Sequence, residues 1–245
     1  MSTVAVMTMV LLHGFAGSRA SWDAVRAAAG GEAYPALPLD LRGHGDRAHV
    51  RPVDVEACVA DVLGALPDRP VGLSGYSLGG RVALHAAVAA PQRFSRLVLV
   101  ATTAGIADEQ ERAARRAADD RLADALLAGG LDAFAARWSA QPLFADDPPA
   151  VRAAQEAEVR AGDPQALAAV LRGLSPGRVP ALWDRLGALD LPVDVVVGGR
   201  DAKYRALGER LAAALPQARL HVLDGAGHGL LREAPAAVAA VLRGG

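Results

Sequence analysis

Cysteine, net charge and membrane-length apolar runs are all scarce in this 245-residue chain, and each scarcity removes a class of protein. A single cysteine, Cys58, cannot form an internal disulfide, so the chain does not need an oxidising compartment. It lies in an apolar, helix-like stretch from Val53 to Leu66 and reads as a small buried hydrophobe. The formal net charge of −1 gives the chain as a whole no attraction to nucleic acid or to an anionic membrane surface, although a locally charged pocket is compatible with it. The first twelve residues are mainly apolar, but they hold no basic n-region, and the run ends at His13-Gly14-Phe15, too short to span a bilayer. A buried strand in a soluble, cytoplasmic protein is the expectation. Histidine and carboxylate spacings such as H-E-x-x-H are missing, as is any nucleotide-binding loop, so neither a metal nor a cofactor is expected.

What is present is a globular composition, 52% hydrophobic and 22% charged, long enough for one sizeable α/β domain with an insertion. Val4 to Leu12 is a continuous apolar run, as in a strand buried on both faces. Ser21 to Ala29 reads as a helix capped by Ser21, and Ala33 to Asp40 as β-like before the turn Arg42-Gly43-His44-Gly45. Val53 to Leu66 (helix), Val71 to Ser74 (strand), Leu78 to Ala90 (helix) and Arg96 to Ala101 (strand) continue the alternation. From Gly105 to Leu189 the rhythm stops in favour of Ala-, Arg- and Asp-rich helical spacing. It resumes with Val193 to Val197, Tyr204 to Leu215, Leu220 to Leu223 and Ala236 to Arg243. The pattern predicts an α/β core over 1–104 and 190–245, a mostly parallel sheet with helices on both faces, and a helical lid over 105–189.

The most specific local signal is Gly75-Tyr76-Ser77-Leu78-Gly79 between a strand and a helix. G-x-S-x-G makes a sharp strand-to-helix turn that exposes the serine hydroxyl at the sheet edge. A serine needs a base held by a third group, in the chain order Ser, acid, His. His228, in Gly225-Ala226-Gly227-His228, follows the last strand, and Asp201, in Gly198-Gly199-Arg200-Asp201, follows the one before. Asp194 falls within a strand pattern and would point elsewhere, while Asp224 is a weaker rival. His221 reads as structural, His85, on the helix after Ser77, as packing or exposed, His44 as ordering its turn, and His49 has no pattern around it. Two backbone N–H groups should form the oxyanion hole, those of Leu78 and of Phe15 in the loop after the first strand.

These ordered motifs, with Asp40-Leu41-Arg42-Gly43-His44-Gly45, resemble the α/β-hydrolase superfamily over nearly the whole chain. The antiparallel strands that often open that fold have no counterpart in the pattern. The elbow Tyr76 to Arg81, the Gly105-Ile106 to Arg116 run, Trp138 to Phe144, and Arg200 to Tyr204 narrow the resemblance. They look like the 2-succinyl-6-hydroxy-2,4-cyclohexadiene-1-carboxylate synthases of menaquinone biosynthesis. That resemblance implies a carbon–oxygen lyase in which Ser77 acts as base and pyruvate is eliminated from a polycarboxylate. It implies Arg81, Arg115 and Arg160 as carboxylate-binding arginines, because guanidinium forks match carboxylates, with Tyr76 and Trp138 lining the pocket. Arg112 and Arg116 read as solvated. A carboxylesterase or carbon–carbon bond hydrolase of the same fold is the alternative, and a non-catalytic small-molecule receptor is a third. Asp46 and Lys203 are left without a role, and oligomeric state is not readable.

Overall fold

The computed structural model describes residues 8–244. The chain runs β1 (Met9–Leu12), α1 (Asp23–Ala29), β2 (Ala36–Leu39), α2 (Val55–Gly64), β3 (Val71–Tyr76), α3 (Leu78–Ala89) and β4 (Phe94–Val100). A helical stretch follows: α4 (Glu109–Ser139), α5 (Pro149–Arg160) and α6 (Pro164–Gly173). It returns to the sheet with β5 (Val193–Gly198), α7 (Ala202–Ala214), β6 (Ala218–Leu223), α8 (Leu230–Glu233) and α9 (Pro235–Arg243). All described strand pairs are parallel, in the order β2-β1-β3-β4-β5-β6.

Strands buried on both faces explain the unbroken apolar runs. Val10 and Leu12 join Leu73, Leu97, Leu99, Val195 and Val197 in one core, under α2 and α3. Met9 and Leu11, one residue out of phase, join Val98, Val100 and Val196 in the other, under α1 and α9. Each fully buried Leu or Val contributes about 1.5–3 kcal/mol relative to exposure. Cys58 is a buried thiol in the first core, and burial pushes its pKa up to about 11, which leaves it inert at neutral pH.

The expected elements are all present with shifted ends. The first strand is seen from Met9, and Val4 to Met7 lie outside the described residues. Ser21 does not cap α1; Ser18 caps a short 3-10 turn, Arg19–Trp22, and Ser21 supplies the reciprocal half of that capping box. α2 starts after Asp54, whose side chain accepts the Ala57 N–H at 2.7 Å, rather than at Val53. No antiparallel strand is present among the described residues.

The stretch between β4 and β5 is helical, with α4 broken at Gly130 (φ 76°, ψ 179°). It has its own small core of Ala123, Leu126, Phe134, Val159, Leu167 and Leu171. It is not detached from the sheet, because Val170, Leu174, Val179, Leu182 and Leu186 belong to the first sheet core. Its two ends are pinned together: Leu182 N–H donates to the Ala104 carbonyl (2.8 Å) and Trp183 Nε1–H to that of Gly105 (2.9 Å). None of the described helices is long and apolar enough to cross a membrane.

Asp194 on β5 is fully buried and points away from the strand ends, as its place in the strand pattern predicts. It accepts from Arg96 Nε (2.8 Å) and Nη2 (2.5 Å) and from His221 Nε2 (2.7 Å), which makes His221 structural. Burial pushes this carboxyl's pKa up, but the His221 and Arg96 hydrogen bonds, with the charges of Arg96 and Arg219, outweigh it and hold the carboxyl below its ordinary value. Asp194→Ala, which strands a buried guanidinium, should cost roughly 3–5 kcal/mol in a urea unfolding titration. A depressed carboxyl stabilises fully above its unfolded pKa, about 3.9, and that stability is lost as pH falls through the lower folded value. Asp194→Asn should therefore lose less stability than the wild type as pH falls below about 4 in the same titration.

Candidate active site

The strand order reverses beside β1: the chain goes from β1 to β2 on one side, then returns to place β3 on the other. Loops leaving the C-terminal ends of two adjacent strands part at such a point and open a crevice. Leu12 is level with Gly75, so the loop after β1 and the turn after β3 face each other across it. Gly198 is level with Leu223, which sets the loops after β5 and β6 side by side. A cavity of about 450 Å³ lies over these four strand ends, between them and the helical stretch.

Ser77 occupies the turn after β3 with φ 51° and ψ −107°. Its N–H donates to the Val100 carbonyl (2.9 Å), and its carbonyl accepts from Thr102 Oγ1 (2.7 Å), which fixes the strained residue at both ends. The flanking glycines are required by contact: a Cβ on Gly75 would lie 2.3 Å from the Gly79 carbonyl oxygen, and one on Gly79 would lie 2.4 Å from that of Leu12.

Ser77 Oγ lies 3.3 Å from His228 Nε2, and His228 Nδ1 lies 2.8 Å from Asp201 Oδ2. An ionised carboxylate only accepts, so Nδ1–H donates to Asp201 and Nε2 is left to accept from the serine hydroxyl. The other Asp201 oxygen accepts the Tyr204 N–H at 3.0 Å, which caps α7 and holds the carboxylate in place. Asp201 and His228 are buried. The rings of Tyr204, Tyr76 and Phe144 stand 4.5, 5.5 and 5.9 Å from the imidazole and keep water from it. Asp224, the weaker rival, is exposed and lies outside the cavity wall.

Phe15 and Leu78 both line the cavity beside Ser77. The Phe15 loop is held by buried His13, whose Nδ1–H donates to the Gly14 carbonyl (2.7 Å) and whose Nε2 accepts the Leu41 N–H (3.1 Å). Burial lowers the His13 pKa, and the neutral ring suits this donor–acceptor use. Asp46 also has a place: its backbone N–H donates to Asp40, and its exposed carboxylate pairs with Arg19.

Tyr76, Arg81, Arg115 and Trp138 reach the cavity as expected. Tyr76 also donates to the His228 carbonyl at 3.0 Å, tying the histidine loop down, and burial pushes its phenol far above the ordinary value. Trp138 packs against Phe15 in a tilted arrangement with centroids 4.4 Å apart. Arg115 is already paired with Asp119 (2.8 Å), four residues along the helix. Asp119 also accepts from Ser175 Oγ at 2.6 Å.

Arg81 differs: it is only 8% exposed, and Nη2 donates to the Leu174 carbonyl at 3.0 Å. No carboxylate pairs with it among the described residues. Burial, aided by nearby Arg115 against Tyr204 and Asp119, pushes its pKa down to about 10, so it remains a cation at neutral pH with most of its donors unspent.

Arg160 is a correction. It is exposed, outside the cavity wall, and paired with Glu156 (2.9 Å) and Asp132 (3.1 Å). Its neighbours Glu158 and Val159 face the cavity instead, since a one-residue step turns a side chain about 100° around the helix. Glu156, four residues earlier, was the sequence signal for that surface pair. The sequence reading also missed wall residues Glu158, Arg232 and Tyr204. Glu158 accepts from both Arg232 Nη2 (2.6 Å) and Ser21 Oγ (3.0 Å), joining the helical stretch to the sheet domain. Glu233 accepts the Gly227 N–H at 2.9 Å and pairs with Arg200, which links the two loops that carry His228 and Asp201. Apart from Glu233 and Gly227, these contacts join residues far apart in sequence and have no local spacing.

Among the described residues no cluster of three or more His, Cys, Asp or Glu could hold a metal ion. The family model for the alpha/beta hydrolase family matches residues 9–241. A 2-succinyl-6-hydroxy-2,4-cyclohexadiene-1-carboxylate synthase from Klebsiella pneumoniae is 36% identical over 240 residues, covering 96% of this chain and 91% of that protein. The solved structure of MenH from S. aureus superposes with a TM-score of 0.91 at 25% identity, covering 99% of this chain and 94% of the other. A thermophilic esterase from Thermogutta terrifontis, solved with malate bound, has a TM-score of 0.81 at 27% identity, covering 97% and 88% of the two chains. The chain belongs to the alpha/beta hydrolase family, and over nearly its whole length it is similar to members named 2-succinyl-6-hydroxy-2,4-cyclohexadiene-1-carboxylate synthase.

Proposed function

We propose that this protein eliminates pyruvate from 2-succinyl-5-enolpyruvyl-6-hydroxy-3-cyclohexene-1-carboxylate to give 2-succinyl-6-hydroxy-2,4-cyclohexadiene-1-carboxylate. The observation that carries the reading is Arg81. It is a buried guanidinium, without a carboxylate partner among the described residues, one helical turn beyond Ser77 and on the same cavity. A simple acyl ester has no use for such a group, whereas a substrate with several carboxylates neutralises it.

The chemistry follows from the positions named. The ring C2–H, beside the succinyl ketone, gives its proton to Ser77 Oγ as the serine proton moves to His228 Nε2, and Asp201 steadies the imidazolium. The C2–H electrons form the 2,3 double bond, the 3,4 double bond moves to 4,5, and the bond from C5 to oxygen breaks. Its electrons leave as the enolate of pyruvate, which gains a proton at its methylene carbon while the imidazolium gives up the one it took, so that no net proton is consumed and His228 is neutral again. Negative charge building on the ketone oxygen meets the Phe15 and Leu78 N–H groups. Arg81 and Arg115 hold carboxylates, Tyr76 and Trp138 wall the ring, and the 105–189 stretch acts as a lid that excludes water.

The esterase similarity supports a second reading, hydrolysis of an acyl ester by the same serine. The two separate in the assay. Freshly prepared substrate should release pyruvate well above the uncatalysed rate in a coupled assay. Ser77→Ala should fold normally, by circular dichroism, and lose nearly all of that rate. Turnover of simple acyl esters without pyruvate release would select the hydrolase.

Arg81→Met should lower kcat/KM for pyruvate release by roughly a hundredfold, the loss of about 3 kcal/mol of charged hydrogen bonding. Arg160→Ala should stay within about twofold of the wild type in the same assay, since only exposed ion pairs are lost.

A further inference from the structure

Of the 26 basic side chains in this chain, Lys203 is the sole lysine. Everywhere else a cation is used the chain uses arginine, and the one exception stands on the wall of the active-site cavity, two residues beyond Asp201. The side chain is exposed and forms no ion pair among the described residues. It also sits in the first turn of α7, where the helix dipole disfavours a cation. Asp201 caps that turn but cannot serve as its partner, because its oxygens are occupied by His228 Nδ1 and the Tyr204 N–H.

The other cations on the wall divide into two kinds. Arg115, Arg200 and Arg232 are held by Asp119, Glu233 and Glu158. Arg81, deep in the cavity, and Lys203, at its rim, have no resident carboxylate among the described residues. One cavity with a free cation at its floor and another at its rim fits an elongated ligand with separated carboxylates. An ammonium suits the rim position because it is compact and donates in three directions without the planar fork of arginine.

We propose that Lys203 binds a carboxylate of the substrate at the cavity rim, while another carboxylate occupies Arg81, and that Lys203 thereby selects for polycarboxylates. This rests on the pyruvate-eliminating reading of the site. Lys203 touches no reacting atom in this scheme, so its removal weakens capture and leaves the chemical step intact.

The test is steady-state pyruvate release by wild type and Lys203→Met. The variant should raise KM about tenfold with kcat within about twofold, and the gap should shrink in 0.5 M salt as screening weakens the wild type. An unchanged KM, or a fall in kcat alone, overturns the proposal. A second measurement is independent of turnover. Acetic anhydride acylates the ε-amine of the one lysine, and peptide mapping separates that product from the acetylated N-terminus. The enolpyruvyl cyclohexene substrate at saturating concentration, added to Ser77→Ala protein, should slow Lys203 acetylation at least fivefold, whereas acetate at the same concentration should not. If wild type releases no pyruvate, the proposed reaction fails, and the protection experiment alone then decides Lys203: protection retains the carboxylate site, and equal acetylation removes it.

Discussion

Ser77 holds a backbone conformation, φ 51° and ψ −107°, that costs on the order of 1–3 kcal/mol and persists only where its surroundings impose it. Those surroundings are extensive. Val100 and Thr102 hold the residue from β4 and the segment after it. Gly75 and Gly79 let the turn close against its own helix and against the end of β1. With the serine fixed at the strand end, the loop after β1 is brought beside it, and His228 must come from two strands beyond β4 to reach it. Gly198 permits that last approach, since a Cβ there would lie 2.1 Å from the Gly227 carbonyl oxygen.

The electrostatics of the cavity follow a similar economy. Three arginines on its wall are neutralised within the protein: Arg115 by Asp119 on the same helix, Arg232 by Glu158 of the helical stretch, and Arg200 by Glu233 between the loops that carry Asp201 and His228. The pairing leaves a buried guanidinium as the unmatched charge at the floor. A low-dielectric site amplifies that charge, so it discriminates between anionic and neutral ligands more strongly than a surface arginine would. The hydrogen-bonded His228 and the aromatic rings packed on it form the neutral part of the same enclosure.

Where sequence reading succeeded, the signal was local. G-x-S-x-G encodes its own turn, and Asp201 and His228 each follow directly on a strand whose apolar run is visible. The alternating cores were legible because period-2 burial on both faces demands uninterrupted apolar residues. Where it failed, neighbouring residues on a helix had to be assigned to opposite faces. Arg160 was placed in the pocket, although the Glu156 spacing marks its face as the outer one. The cap of the first helical segment was assigned to Ser21 when Ser18 and Ser21 share the task.

The alternation of strands and helices along the chain, the places of Ser77, Asp201 and His228 just after strands, and the helical nature of 105–189 are determined by the sequence itself, because each depends on residues a few positions apart. The tertiary structure decided which charges remain free. Asp119 satisfies Arg115, Glu158 satisfies Arg232, Glu233 satisfies Arg200, and among the described residues Arg81 and Lys203 are left. Apart from the helical Arg115–Asp119 spacing, nothing along the chain foretells these outcomes. An ion pair is set by distance and burial in space, and a residue's charge is known from the sequence long before its partner is.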